Sequence, residues 1–114
     1  MALFRFHEET TAPYYIELGW QGASYRNNQI TVNLTEKKDE DDFHIVEEIG
    51  SFKHDPEQAK LGYKFKSSKI GEIEIKFVTK FLIISEIQVT VSGKKVKGSE
   101  ILNYIGIGQV GKHT

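Results

Sequence analysis

Trp20, Tyr25, Arg26, Asn27 and Asn28 lie close together in Gly19 to Asn28 (GWQGASYRNN), a stretch rich in glycine and asparagine. Aromatic rings offer apolar faces to sugar C–H groups or to protein side chains, and arginine and asparagine supply directional hydrogen bonds. This is the chemistry of binding, and loops at the end of a rigid β scaffold are where such sites sit. The same residues have a structural use: Trp20 and Tyr25 plugging one end of the fold, with Asn27-Asn28 making a turn.

Other groups in the chain carry less chemistry. Glu36, Asp39, Glu40, Asp41 and Asp42 offer oxygen atoms to a cation, but the run lacks the spacing and the turn glycine of a calcium loop. It reads as a solvated turn. His7, His44, His54 and His113 are dispersed and form no ligand pair, so no metal site and no cofactor is expected. His54-Asp55 is an adjacent His–carboxylate pair, and no serine in a tight glycine turn accompanies it. Gly106 to Gly111 (GIGQVG) lacks the lysine-serine ending of a phosphate loop. No catalytic residue is therefore assigned, and the expectation is a protein that is not an enzyme.

The elements that must position a binding loop are strands. In Gly71 to Val91, Ile73, Ile75 and Phe77 alternate with Glu72, Glu74 and Lys76. A period of two marks a strand with one buried and one wet face. Phe81, Ile83, Ser85, Ile87, Val89 and Val91 share the next inward face, and β-branched residues dominate. Leu3 to His7, Tyr14 to Leu18, Gln29 to Thr35, Phe43 to Ile49 and Leu61 to Lys66 repeat the pattern more briefly. Asp55-Pro56 with Gln58 opens the one helical turn. Ser99 to Val110 reads either as a short helix or as a last strand. About eight strands with frequent turns predict an all-β antiparallel sandwich, with a small OB-like barrel as the alternative.

At 114 residues the chain is long enough for one domain, residues 1–114, with its own core. A net charge of −1 removes the bulk electrostatic attraction to nucleic acid. No apolar run approaches the roughly 20 residues of a membrane span, so no membrane insertion is expected. There are no cysteines and no signal-peptide pattern at the N-terminus, which leaves the compartment open. A secreted or cell-surface place follows only if the domain belongs to a larger extracellular protein. Lysines from Lys64 to Lys97 make the second half basic. On outward strand positions they protect sheet edges, and they also suit an acidic partner.

From Ala59 to Val91 the chain resembles discoidin-type, galactose-binding-like β-sandwiches. The resemblance is carried by Gly71-Glu72-Ile73-Glu74-Ile75-Lys76-Phe77 and by Phe81-Leu82-Ile83-Ile84-Ser85-Glu86-Ile87. It implies a jelly-roll sandwich that binds glycans or proteins through loops at one end. Two functions are thus expected: a non-catalytic module for a carbohydrate or protein partner, or a structural subunit of viral, phage-tail or adhesin type that forms oligomers.

Overall fold

The computed structural model describes residues 2–21, 29–39, 42–80, 83–96 and 98–103. Among them are strands β1 (Ala2–Phe6), β2 (Tyr14–Trp20), β3 (Gln29–Asp39) and β4 (Asp42–Lys53), then helix α1 (Pro56–Leu61). They are followed by β5 (Tyr63–Ser67), β6 (Gly71–Lys80), β7 (Ile83–Val91), β8 (Lys94–Val96) and β9 (Gly98–Asn103). One sheet has the order β4-β3-β2-β1-β9 and the other β5-β6-β7-β8, and every pairing is antiparallel. The expected all-β antiparallel sandwich is therefore the observed architecture, with nine strands among the described residues. The connectivity differs from the jelly roll that the resemblance implied. Each sheet is a meander of consecutive hairpins, and only β9 crosses back to the first sheet.

Register follows from alternation. Phe6, Ile16 and Leu34 form one inward row of the first sheet, and Phe4, Leu18 and Val32 the next. In the second sheet Phe65, Ile73 and Val91 align, as do Tyr63, Ile75, Val89 and Val96. These rows meet in a single core cluster, with Ile16, Leu34, Ile75 and Val89 fully buried. A one-residue slip would turn each row into water, which is why the pattern fixes the pairing.

The turns have their own causes. Asp55 caps α1: its carboxylate accepts from the Glu57 and Gln58 amides, and Pro56 occupies the first helical position. Ser92 and Gly93 both have positive φ, 50° and 85°, and join Val91 to Lys94 in a two-residue hairpin. Gly98 to Asn103 form β9 rather than a helix, and Tyr104 to Val110 lie outside the described residues.

Two segments depart from expectation. Glu36 to Asp39 and Asp42 belong to strands rather than to a solvated turn, while Glu40 and Asp41 lie outside the described residues. Pairing of β3 with β2 ends at Tyr14–Glu36, whereas β3–β4 pairing continues to Asp39–Asp42. Among the described residues the outer part is therefore a two-stranded ribbon outside the buried core, and Glu36 to Asp39 need no apolar residue there. In β7, Val78 pairs with Glu86 but Thr79 with Ile84, so Ser85 is the extra residue of a bulge. Phe81 and Leu82 lie outside the described residues.

Phe77 sits at the centre of the core, 1 % exposed, with Phe52, His54 and Tyr63 edge-on around it. Phe77→Ala is expected to lower unfolding stability by about 3–5 kcal/mol in urea titrations. A loss below about 1 kcal/mol, the scale of an ordinary substitution, would contradict this central place.

Candidate binding site

Trp20 closes β2, 2 % exposed, with its ring tilted on Phe4 at 5.4 Å between centroids. The inward period of Ile16 and Leu18 simply continues through Gly19 to Trp20. This ring is thus a core side chain at one end of the sandwich and presents no open stacking face. Tyr25, Arg26, Asn27 and Asn28 lie outside the described residues, as do His113 and Gly106 to Gly111. The remaining histidines are apart: His7 stacks on Tyr15 at 4.2 Å, His44 meets Asp42 at 3.2 Å on the ribbon, and His54 lies against Phe77.

A groove of about 400 Å³ opens elsewhere, between the end of β4, helix α1 and β5. Ser51 and Phe52 line one side, Gln58 and Leu61 the helix side, and Tyr63 and Phe65 the other strand. The aromatic wall is built by cross-sheet contact. Phe52 stacks on Tyr63 at 3.9 Å and 22°, and lies 5.9 Å from Phe65. Gly50 suits this close approach: a Cβ there would stand 3.0 Å from the Phe65 ring, which would have to give way. The Tyr63 hydroxyl accepts from the Asp55 amide at 2.8 Å and donates to the Asp55 carbonyl at 3.2 Å. That fixes the ring to the helix cap, and burial pushes the phenol pKa up.

Helix α1 sets the groove's rim. Ala59 is buried and holds the helix on the core. Gly62, at φ 107°, ends it, donating its N–H to Gln58 O at 2.8 Å while its carbonyl accepts from Gln58 Nε2 at 2.8 Å. A side chain at Gly62 would be strained and would come within 2.8 Å of Glu74 Oε2. The helix thus stops with Leu61 left 70 % exposed. From sequence, Leu61 was expected inward at the start of a strand with Tyr63 and Phe65; the glycine that follows it is the C-cap signal that separates them.

The far end of the same wall is held by Glu47. Its carboxylate accepts from Ser67 Oγ at 2.6 Å, from the Ser68 amide at 3.0 Å and from Ser68 Oγ at 3.0 Å. Ser67 Oγ in turn accepts from the Lys69 and Ile70 amides, shaping the turn into β6. The first sheet's edge is so tied to the second sheet's turn. One other surface is internally paired. Arg5 meets Glu17 at 2.9 Å and lies 3.6 Å over Phe43, which is edge-on to Tyr15. On the outer face of the second sheet, Lys64 stands opposite Glu74 and Lys66 opposite Glu72.

No family model, curated protein or solved structure matches this chain. The site's chemistry therefore comes from its own geometry. The Gln58 amide, the Tyr63 hydroxyl and Ser51 Oγ, which accepts from Gln29 Nε2 at 2.9 Å, already have partners. What the groove offers is apolar contact over rigid rings, which suits a hydrocarbon or aromatic side chain better than a sugar's hydroxyls.

The Ser67 and Ser68 hydrogen bonds hold the Glu47 pKa below the ordinary glutamate value. A carboxylate with a lowered folded-state pKa stabilises fully above the unfolded value of about 4.3 and loses that contribution as pH falls through the folded one. Glu47→Gln is therefore expected to be less stable than the parent at pH 7, with the difference narrowing below about pH 4. Urea midpoints of both proteins across pH check this; a constant difference would rule out the ionised clasp.

Proposed function

We propose that this domain is a non-catalytic binding module that takes a protein partner by receiving an apolar side chain in the groove between β4, α1 and β5. The observation that carries this reading is Leu61, 70 % exposed at the rim of an aromatic wall formed by Phe52, Tyr63 and Phe65. Exposed aliphatic surface continuous with half-buried rings marks interaction sites more often than an isolated exposed leucine does. A sandwich that binds proteins is also what the discoidin-type resemblance implies, although the site argued for here lies along one side.

A protein partner is favoured over a carbohydrate because the Gln58 amide nitrogen, the Tyr63 hydroxyl and Ser51 Oγ already take part in hydrogen bonds, while the rings supply most of the open surface. The alternative, assembly of copies through strand pairing, meets resistance at the edges of β4 and β8. In β4, Ile49 and Val46 are skipped by the register, so this long edge is bulged twice. Strand β8 is three residues long and begins with Lys94-Lys95. Bulges, short strands and lysines are devices that keep edges from pairing.

Indole, a stand-in for an aromatic side chain, tests the groove. In titrations followed by amide NMR, saturable shifts are expected to centre on Leu61, Tyr63 and Phe65. Leu61→Gln should weaken them while changing stability by less than about 0.5 kcal/mol, because the side chain is at the surface. Shifts centred elsewhere, or none up to the solubility of indole, would overturn the reading.

A further inference from the structure

Among the described residues, strand β5 ends its sheet and one side of its backbone has no strand beside it. It is short, but unlike β4 it is regular: Tyr63–Ile75, Lys64–Glu74, Phe65–Ile73, Lys66–Glu72 and Ser67–Gly71 pair with no shift. β4 approaches β5 from below rather than from beside it. Its contacts, Phe52 on Tyr63, Gly50 under Phe65 and Glu47 with Ser67, all reach inward-facing residues of β5. The lateral edge from Tyr63 to Lys66 is bounded by α1 at one end and the Glu47 clasp at the other, with the groove alongside.

The outward residues of this edge are Lys64 and Lys66, both exposed. In a two-fold pair of β5 strands centred on Phe65, Lys64 of each copy would face Lys66 of the other. Like charges directly opposite one another destabilise a pair. The strand that does pair with β5 carries the complementary pattern: Glu72 and Glu74 meet the lysines while Ile73 and Ile75 turn inward. An added strand faces the same lysines and the same inward rings from the other side.

We infer that the free edge of β5 takes an extended segment of a partner protein in which acidic and apolar residues alternate. This rests on the groove reading above. Main-chain hydrogen bonds to the open side of β5 hold the segment, the acidic residues pair with Lys64 and Lys66, and an apolar residue enters the groove beside Leu61 and Phe65. It is strand addition with charge selecting the strand.

The probe is a capped synthetic heptapeptide with the sequence of Gly71 to Phe77, GEIEIKF. Titrated into the labelled domain, it is expected to shift the amides of Tyr63 to Lys66 and to protect from exchange those that point away from β6. Affinity should fall about five- to tenfold for Lys64→Glu combined with Lys66→Glu, and also as salt is raised. Because a double variant can disturb folding, the peptide is changed as well. Replacing both its glutamates with lysine should abolish binding, and N-methylating alternate amides should abolish it for the set that points at β5 and spare it for the other set. No saturable change at β5 up to about millimolar peptide, or equal binding of the lysine peptide, would overturn the inference. If indole binds the groove while the peptide does not, the groove reading stands and strand addition falls; if neither binds, both fall.

Discussion

The stacking of Phe52 on Tyr63 is the contact that the joining of the two sheets depends on. Each sheet is a meander and is held internally by its own ladders, but ladders say nothing about how one sheet meets the other. The chain first passes between them through α1, and at that crossing Phe52, the buried residue near the end of β4, lies flat on the first residue of β5. Phe77 from the central strand of the second sheet closes the cluster edge-on, and the Tyr63 hydroxyl ties it to the cap of α1. Ring stacking fixes distance and tilt together, which aliphatic contact does less strictly. Gly50 is a consequence of that geometry, since a side chain there would press into Phe65.

The same geometry creates the groove. Once β4 is drawn across the inner face of β5, the helix has to turn away sharply to feed the new strand, and Gly62 does so by leaving Leu61 in water. The exposed leucine is thus not a defect of an otherwise buried element. It is what remains when a helix of six residues buries Ala59 on one side and must stop. Glu47 closes the opposite end, so the wall is clamped at both ends and its rings are held in place. A rigid apolar surface binds with less ordering cost than a mobile one, which is why preorganised rings make useful anchors.

Much of this fold is written in period two. Ile73, Ile75 and Phe77, or Ile30, Val32 and Leu34, reveal their strands and inward faces without any structure, and Asp55-Pro56 reveals the start of the helix. Three things were not legible. Trp20 keeps the parity of Ile16 and Leu18, but Gly19 beside it suggests a turn, so the residue looks like part of a loop until β1 is seen opposite it at Ala2. The acidic run from Glu36 has no apolar residue because its ribbon lies outside the buried core, and hydrophobic periodicity is blind to such strands. Strand order is not encoded in alternation at all, so two meanders and a jelly roll read alike. The groove is hidden for a related reason: Phe52 and Tyr63 belong to different sheets, and only the crossing brings them together.

Lys64 and Lys66 show how one pair of residues can serve two constraints. Within the sheet they face Glu74 and Glu72, and cross-strand pairs of this kind contribute roughly 0.2–1 kcal/mol each. At the sheet's edge they stand where a copy of the same strand would set lysine against lysine. Their charge therefore stabilises the native pairing and disfavours self-pairing at once, leaving the edge open to strands of one sign. β4 solves the same problem by another means, interrupting its ladder at Val46 and Ile49 so that no regular strand fits it. A bulged edge refuses every strand, whereas a regular edge guarded by charge refuses only some. That difference between the edges of β4 and β5 is the physical reason why recognition through the backbone suits β5 better than β4.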